Sequence, residues 1–282
     1  FMRSRYRVFS IVVIAIAAGL AWTSAATAQT ESKLTASDAA AQDTFGKSVS
    51  IDGDYAILGA SGNNDGESAY IFSRSGTTWT QQVKLAADDS TADDQFGESV
   101  SISGNYAIVG AELDDDNGVD SGSAYIFFRT GTTWTQQAKL TAADATEGDQ
   151  FGYSVSISGD YAIVGAELDD DNGVDSGSAY IFFRTGTTWT QQDKLTASDP
   201  GIVDQFGFSV SISGDDAIVG ARFNDDAGIT VIGGNSGSAY IFSRSGTTWT
   251  QQAKLTASDG AADDAFGYSV SINGDRAIVG AY

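Results

Sequence analysis

The sequence predicts an all-β protein: a β-propeller of four-stranded antiparallel blades, with four complete blades and a partial fifth. Three observations predict it. The dipeptide Phe-Gly returns at Phe45, Phe96, Phe151, Phe206 and Phe266, at intervals of 51, 55, 55 and 60 residues. Each interval holds four short strand-like runs separated by Gly-containing turns. The runs also grade in side-chain size. The first has a Gly/Ser face, as required where blades converge near an axis, and the fourth carries Trp and a polar row, as expected at a rim.

Ahead of the repeats, residues 1–28 read as a signal peptide. Arg3, Arg5 and Arg7 precede an apolar run over 8–22, too short to span a bilayer comfortably. Ala26-Thr27-Ala28 then gives an A-x-A cleavage pattern with Gln29 as the new terminus, a retained membrane anchor being the alternative. No Cys follows, which excludes a lipoprotein anchor. The mature chain is therefore expected outside the cell, secreted or at its surface, or in the periplasm, with no membrane insertion after cleavage.

Residues 29–44 form a leading strand. Lys33-Leu34-Thr35-Ala36-Ser37-Asp38 copies the end of a fourth strand, which in a closed ring completes the last blade. The blades follow at 45–95, 96–150, 151–205 and 206–265, with a partial one at 266–282. In the second, strand one spans 96–103, with Val100 and Ile102 opposite Gly97, Ser99 and Ser101. A Gly104-Asn105 hairpin turn leads to strand two over 106–111, apolar on both faces. Strand three spans 123–129. Strand four spans 134–140, where Trp134, Ala138 and Leu140 alternate with Thr135, Gln137 and Lys139. Two strands in the last blade predict a ring truncated at its carboxyl end.

The runs Phe-Gly-x-Ser-Val-Ser-Ile, Gly-Asp-Tyr-Ala-Ile-Val-Gly-Ala and Gly-Ser-Ala-Tyr-Ile-Phe resemble the FG-GAP repeat. That repeat builds the propeller of integrin α subunits and of many bacterial exported proteins, and Thr-Trp-Thr-Gln-Gln-x-Lys-Leu is similar to the bacterial branch. The resemblance implies the propeller and an extracellular setting; family members serve adhesion or ligand binding. Two departures stand out. The third position of the GAP element is Ser61, Glu112, Glu167 or Arg222, never Pro. The family's Asp-x-Asp-x-Asp-Gly calcium loop between strands one and two is replaced by a tight turn, so calcium does not carry over by position.

Composition narrows function further. With 15 Lys plus Arg against 37 Asp plus Glu, the net charge is −22. Removing the leader takes away three Arg and no acids, leaving 12 basic against 37 acidic residues and a charge of −25. So acidic a surface repels phosphate backbones and excludes nucleic acid as a partner. A hydrophobic content of 41% excludes a disordered polyelectrolyte. The absence of Cys and His excludes disulfides, the usual zinc and haem sites, and Ser-His-Asp chemistry.

Connectivity gathers the acids on one end of the disc. The two-to-three and four-to-one connections share that end and are long and acidic. They include 112–120, repeated unchanged at 167–175, and the pairs Asp38/Asp43, Asp88/Asp94, Asp144/Asp149, Asp199/Asp204 and Asp259/Asp264. Asp114, Asp116, Asn117 and Asp120, with their duplicates Asp169, Asp171, Asn172 and Asp175, are candidate Ca²⁺ ligands, since a hard cation takes six to eight oxygens. The strict loop template fails, because aligning Gly118 with its glycine puts Leu113 at the first ligand position. The alternative is a solvated acidic turn. The second Asp of each pair, such as Asp94, is expected to accept backbone N–H bonds at the turn.

A glycosidase pair needs one asymmetric constellation, whereas these acids recur from blade to blade, so no catalytic residues are assigned. Trp79, Trp134, Trp189 and Trp249 have the period of a rim packing position rather than of a sugar-stacking ring. The sequence thus predicts a non-enzymatic secreted or cell-surface binding or adhesion module. It presents an acidic loop face to an extracellular protein or glycan, with Ca²⁺ as the candidate cofactor. A structural spacer array in a larger surface protein, and an exported hydrolase whose catalytic part lies elsewhere, are the alternatives.

Overall fold

The computed structural model describes residues 31–62, 67–91, 93–225 and 234–282, so the leader 1–28 lies outside the described residues. Blade one contains β1 (Val49–Asp52), β2 (Tyr55–Ala60), β3 (Ser68–Ser75) and β4 (Thr78–Leu85). Blade two contains β5 (Val100–Ser103), β6 (Tyr106–Ala111), β7 (Ser123–Thr130) and β8 (Thr133–Leu140). Blade three contains β9 (Phe151–Ser158), β10 (Tyr161–Ala166), β11 (Ser178–Thr185) and β12 (Thr188–Leu195). Blade four contains β13 (Phe206–Ser213), β14 (Asp216–Ala221), β15 (Ser238–Ser245) and β16 (Thr248–Leu255). A hairpin of β17 (Ser269–Asn273) and β18 (Arg276–Gly280) begins the fifth. Each full blade is a four-stranded antiparallel sheet in sequence order, and the hairpin is a two-stranded sheet. The expected all-β blade architecture is what the residues build.

Strand one is the inner strand. β5 lies against β1, β9 against β5, β13 against β9 and β17 against β13. The small face predicted from Gly and Ser makes these contacts. Ser50 Oγ accepts from Ile102 N, Ser101 Oγ from Ile157 N and Ser156 Oγ from Ile212 N, each at 3.2 Å. The recurrent glycines have a steric reason. A Cβ on Gly110 would sit 1.9 Å from the carbonyl oxygen of Gly152 in the next blade, and Gly152 itself has φ +101°. The Gly of Phe-Gly therefore lets one blade's backbone approach the second strand of its neighbour.

The core lies between blades rather than within them. Ile57, Ile71 and Leu85 of blade one pack with Phe96, Val100, Ile102, Tyr125 and Trp134 of blade two. The same set recurs between blades two and three, and between three and four. Blades two and three bury both faces, which is why β6 and β10 carry no charged residue. The rim is also stitched. Trp134 Nε1 donates to Gln82 Oε1 at 2.9 Å, and Gln136 Oε1 accepts from Asp88 N at 3.0 Å, both across a blade boundary. Trp134, Trp189 and Trp249 are buried, in keeping with a packing position.

Strand four departs from the simple alternation. In blade two the register shifts between Ile126 and Phe127, so that Ile126 pairs with Ala138 but Phe127 pairs with Gln136. Gln137 is the extra residue of a β-bulge. The bulge reverses the parity of the strand: Trp134 and Leu140, expected on one face, point to opposite neighbouring blades. Lys139, expected opposite Trp134, shares its face and pairs with Tyr125. The same shift occurs in all four complete blades.

Candidate functional site

The bulge delivers the strand-four lysine to the acidic end. Lys139 Nζ lies 5.2 Å from the centre of the Tyr125 ring. It donates to Asp89 Oδ2 at 2.9 Å, to Asp114 Oδ2 at 3.0 Å and to Asp116. Asp114 is buried, and its carboxylate also accepts from Ser123 Oγ at 2.9 Å and Tyr125 Oη at 2.8 Å. Blade three repeats the arrangement. Lys194 Nζ donates to Asp144 at 2.8 Å, to Asp169 at 2.9 Å and to Asp171, while Tyr180 Oη donates to Asp169 at 2.7 Å.

Burial disfavours the Lys139 ammonium, but its bonds to Asp116, Asp89, Tyr125 and Asp114 outweigh that and hold its pKa above the ordinary lysine value. Lys194 is raised for the same reasons. Burial likewise works against the Asp144 carboxylate, yet the Lys194 hydrogen bond and charge hold it below the usual range.

Asp144, Asp169 and Asp171 have carboxylate oxygens within 4.8 Å of one another and could bind a metal. Of the predicted ligands, the fold therefore brings together Asp114 with Asp116, and Asp169 with Asp171. It adds Asp89 and Asp144 from the four-to-one connections, which the loop pattern alone did not supply. In the turn itself, Asn117 N donates to Ser121 Oγ, Asp120 N to Asp115 Oδ1 and Asp175 N to Asp170 Oδ1. Asp89 also takes the place assigned to Asp88, because it stands five residues after a strand-four lysine, as Asp38 and Asp144 do.

In blade four the loop position of Asp114 is held by Asn224, and Lys254 bonds Asp199 at 2.7 Å. In blade one Lys84 bonds Asp38 at 2.7 Å. The second member of each Asp pair caps its turn as expected. Asp94 Oδ2 accepts from Thr91 N at 2.6 Å, Asp149 Oδ2 from Thr146 N at 2.7 Å and Asp264 Oδ2 from Ala261 N at 2.7 Å.

A second acid group lies nearer the axis at the same end. Glu112 and Glu167 occupy the third position of the GAP element, directly after β6 and β10. Both are buried, and neither Glu112 Oε2 nor Glu167 Oε2 has a hydrogen-bond partner. Burial, with repulsion from Glu98 and Glu167, pushes the Glu112 carboxyl up to about 8. Burial pushes Glu167 up to about 7 although Arg222 opposes it. The nearby cations are committed elsewhere. Lys47 pairs with Glu98, and Arg222 Nε donates to Gln205 at 2.7 Å while its guanidinium stacks 3.8 Å from the Phe208 ring centre.

Compared with known proteins, residues 29–72, 79–127, 134–182, 189–242 and 249–282 each match the FG-GAP repeat. The matched unit runs from the strand four of one blade through strand three of the next, so it contains a blade boundary and the core packed there. No curated protein matches the chain. FG-GAP repeats are typical of extracellular or surface proteins and are generally non-catalytic. Among the described residues no helix is long and apolar enough to cross a membrane. With five matched copies between residues 29 and 282, the chain belongs to the FG-GAP repeat family.

Proposed function

We propose that the protein is a non-enzymatic binding or adhesion module of the cell exterior, exported by its 1–28 leader, whose acidic loop face engages an extracellular protein or glycan. One observation carries the reading: among the described residues, the long connections between strands two and three and between blades lie at one end of an inter-blade-packed scaffold, and in the sequence these connections hold most of the acids. A spacer array would not need that segregation.

Calcium assistance is the finer part of this reading. Lys194 Nζ already sits within hydrogen-bonding reach of Asp144, Asp169 and Asp171, so a metal ion there must displace the ammonium. We read the lysine as a tethered counter-ion that does the work of a cation at these loops. Ca²⁺ and Mg²⁺ at equal concentration should then raise the melting temperature of the parent alike, and Lys194→Met should gain a Ca²⁺-specific rise. A Ca²⁺-specific rise in the parent that Asp116→Ala with Asp171→Ala removes would establish the loops as calcium sites instead.

The binding reading itself is tested on peptide and glycan arrays probed with the purified chain. Salt-sensitive retention that Asp115→Asn with Asp170→Asn weakens is the expected result. Retention indifferent to both salt and substitution would remove the acidic face from the account.

A further inference from the structure

We infer that the acidic face carries, at the boundary of blades three and four, a docking patch for a basic protein segment with one aliphatic or aromatic anchor residue. The patch is formed by Val174, Ile202 and Val203. This rests on the acidic face being the binding face and names the partner chemistry and its place.

Three observations converge there. Val174, Ile202 and Val203 are 60%, 70% and 43% exposed, although all three are aliphatic. They come from two connections held side by side: Val203 N donates to Val174 O at 2.7 Å and Gln205 N to Asp175 O at 3.1 Å. A Cβ placed on Gly173 would lie 3.2 Å from Ile202 Cγ2, so the Ile202 side chain lies against the loop.

The backbone is the second observation. Val203 has φ +65°, a conformation that a β-branched side chain strongly disfavours. The corresponding residue, three before each Phe-Gly, is Gln42, Asp93, Gly148 or Asp263 in the other blades, all also at positive φ. Only blade four's connection puts Val there, and the side chain gains little burial in return. A local rule broken without a structural gain marks a functional position.

The duplicated loops supply the third observation. Residues 112–120 and 167–175 are identical, and Gly148 N bonds Val119 O at 2.9 Å just as Val203 N bonds Val174 O. At the first boundary the connection presents Glu147-Gly148, and at the second Ile202-Val203. Val119 and Val174 are both exposed, so of these two boundaries it is Ile202 and Val203 that enlarge the apolar surface at the second.

Charge complementarity selects the occupant. Asp170 and Asp175 border the patch, joined by the Asp175 N to Asp170 Oδ1 bond of 2.7 Å, and among the described residues neither has a cationic partner. Asp171 and Asp199 beside them are already paired with Lys194 and Lys254. An apolar centre with uncommitted carboxylates on its border fits lysine or arginine on either side of a hydrophobic residue.

The test uses the whole chain and two synthetic fluorescent peptides, one with a single Trp flanked by lysines and one with that Trp replaced by Gly. The parent should bind the Trp peptide about ten-fold more tightly, the scale expected for burying part of one anchor side chain. Ile202→Glu with Val203→Gly copies the Glu147-Gly148 connection that this fold already accepts, so it should melt no lower than the parent. It should lose the preference for Trp while keeping salt-sensitive binding of both peptides. Equal binding of the two peptides by the parent, or an unchanged preference in the variant, overturns the patch and leaves the acidic face standing. No binding of either peptide at low salt overturns the acidic face as well. Concentration-dependent self-association in sedimentation that the variant abolishes assigns the patch to a second copy and overturns the basic partner.

Discussion

Glu112 and Asp114 are two residues apart, both buried at the same end of the same blade, and they are held by opposite means. Asp114 receives Lys139, Ser123 and Tyr125; Glu112 keeps an oxygen with no partner and a carboxyl pushed up to about 8. Asp169 and Glu167 repeat the contrast in blade three. The difference comes from where the cations can reach. The strand-four lysine rises from the rim and meets the loop, while at the axis Lys47 and Arg222 are held by Glu98 and by Gln205 with Phe208. A negative charge count therefore says little about how an acid behaves. The loop acids are built into the fold, and the axial acids work against it when ionised.

The largest expected effect comes from taking the cation out of blade three. Lys194→Met should destabilise the chain by about 3 kcal/mol, because buried Asp169 then lacks its counter-ion. Chemical denaturation reads this directly, and a loss near zero would mean that the serine and tyrosine hydroxyls suffice. Lys254→Met sharpens the same comparison from the other side. Its described carboxylate partner Asp199 is exposed and Asn224 stands where blades two and three have a buried loop acid, so the loss should be smaller, under about 1 kcal/mol. Equal losses for the two variants would show that the loop acids add nothing to the lysine's role.

The sequence made the blade legible because every side of it is periodic: Phe-Gly marks the close approach of backbones, the Ser face marks the inner strand, and Trp marks the rim. The loop cluster was half legible. Asp114, Asp116, Asp169 and Asp171 stand out by density, yet the cation that claims them comes from Lys139 and Lys194, hidden by the bulge at Gln137 and its counterparts. Strict alternation puts Lys139 opposite Trp134, and only the extra residue turns it toward Tyr125. In Thr-Trp-Thr-Gln-Gln-x-Lys-Leu the Trp and the Leu stand six residues apart at one parity, so the run itself carries no sign of the bulge. Asp89 and Asp144 were missed as partners because they belong to the previous blade's connection, about fifty residues before the lysines they meet. The axial glutamates were noted only as departures from Pro. Their burial depends on packing against adjacent blades, which spacing along the chain does not report.

The contrast between loop and axis is tested most directly by stability against pH. A carboxyl whose native pKa is raised holds its proton more tightly when folded. Its contribution is complete below the unfolded value of 4.5 and is lost as pH rises to about 8 for Glu112 and about 7 for Glu167. Burial also raises Glu67 and Asp149, so some slope of the same sign remains without the axial pair. The measurement is the unfolding free energy of the parent and of Glu112→Gln with Glu167→Gln between pH 4.5 and 8.5. The account predicts that the parent loses stability across this range, and that the double variant loses much less and is the more stable of the two at pH 8.5. Parallel profiles, or a double variant weaker than the parent at pH 8.5, would contradict it.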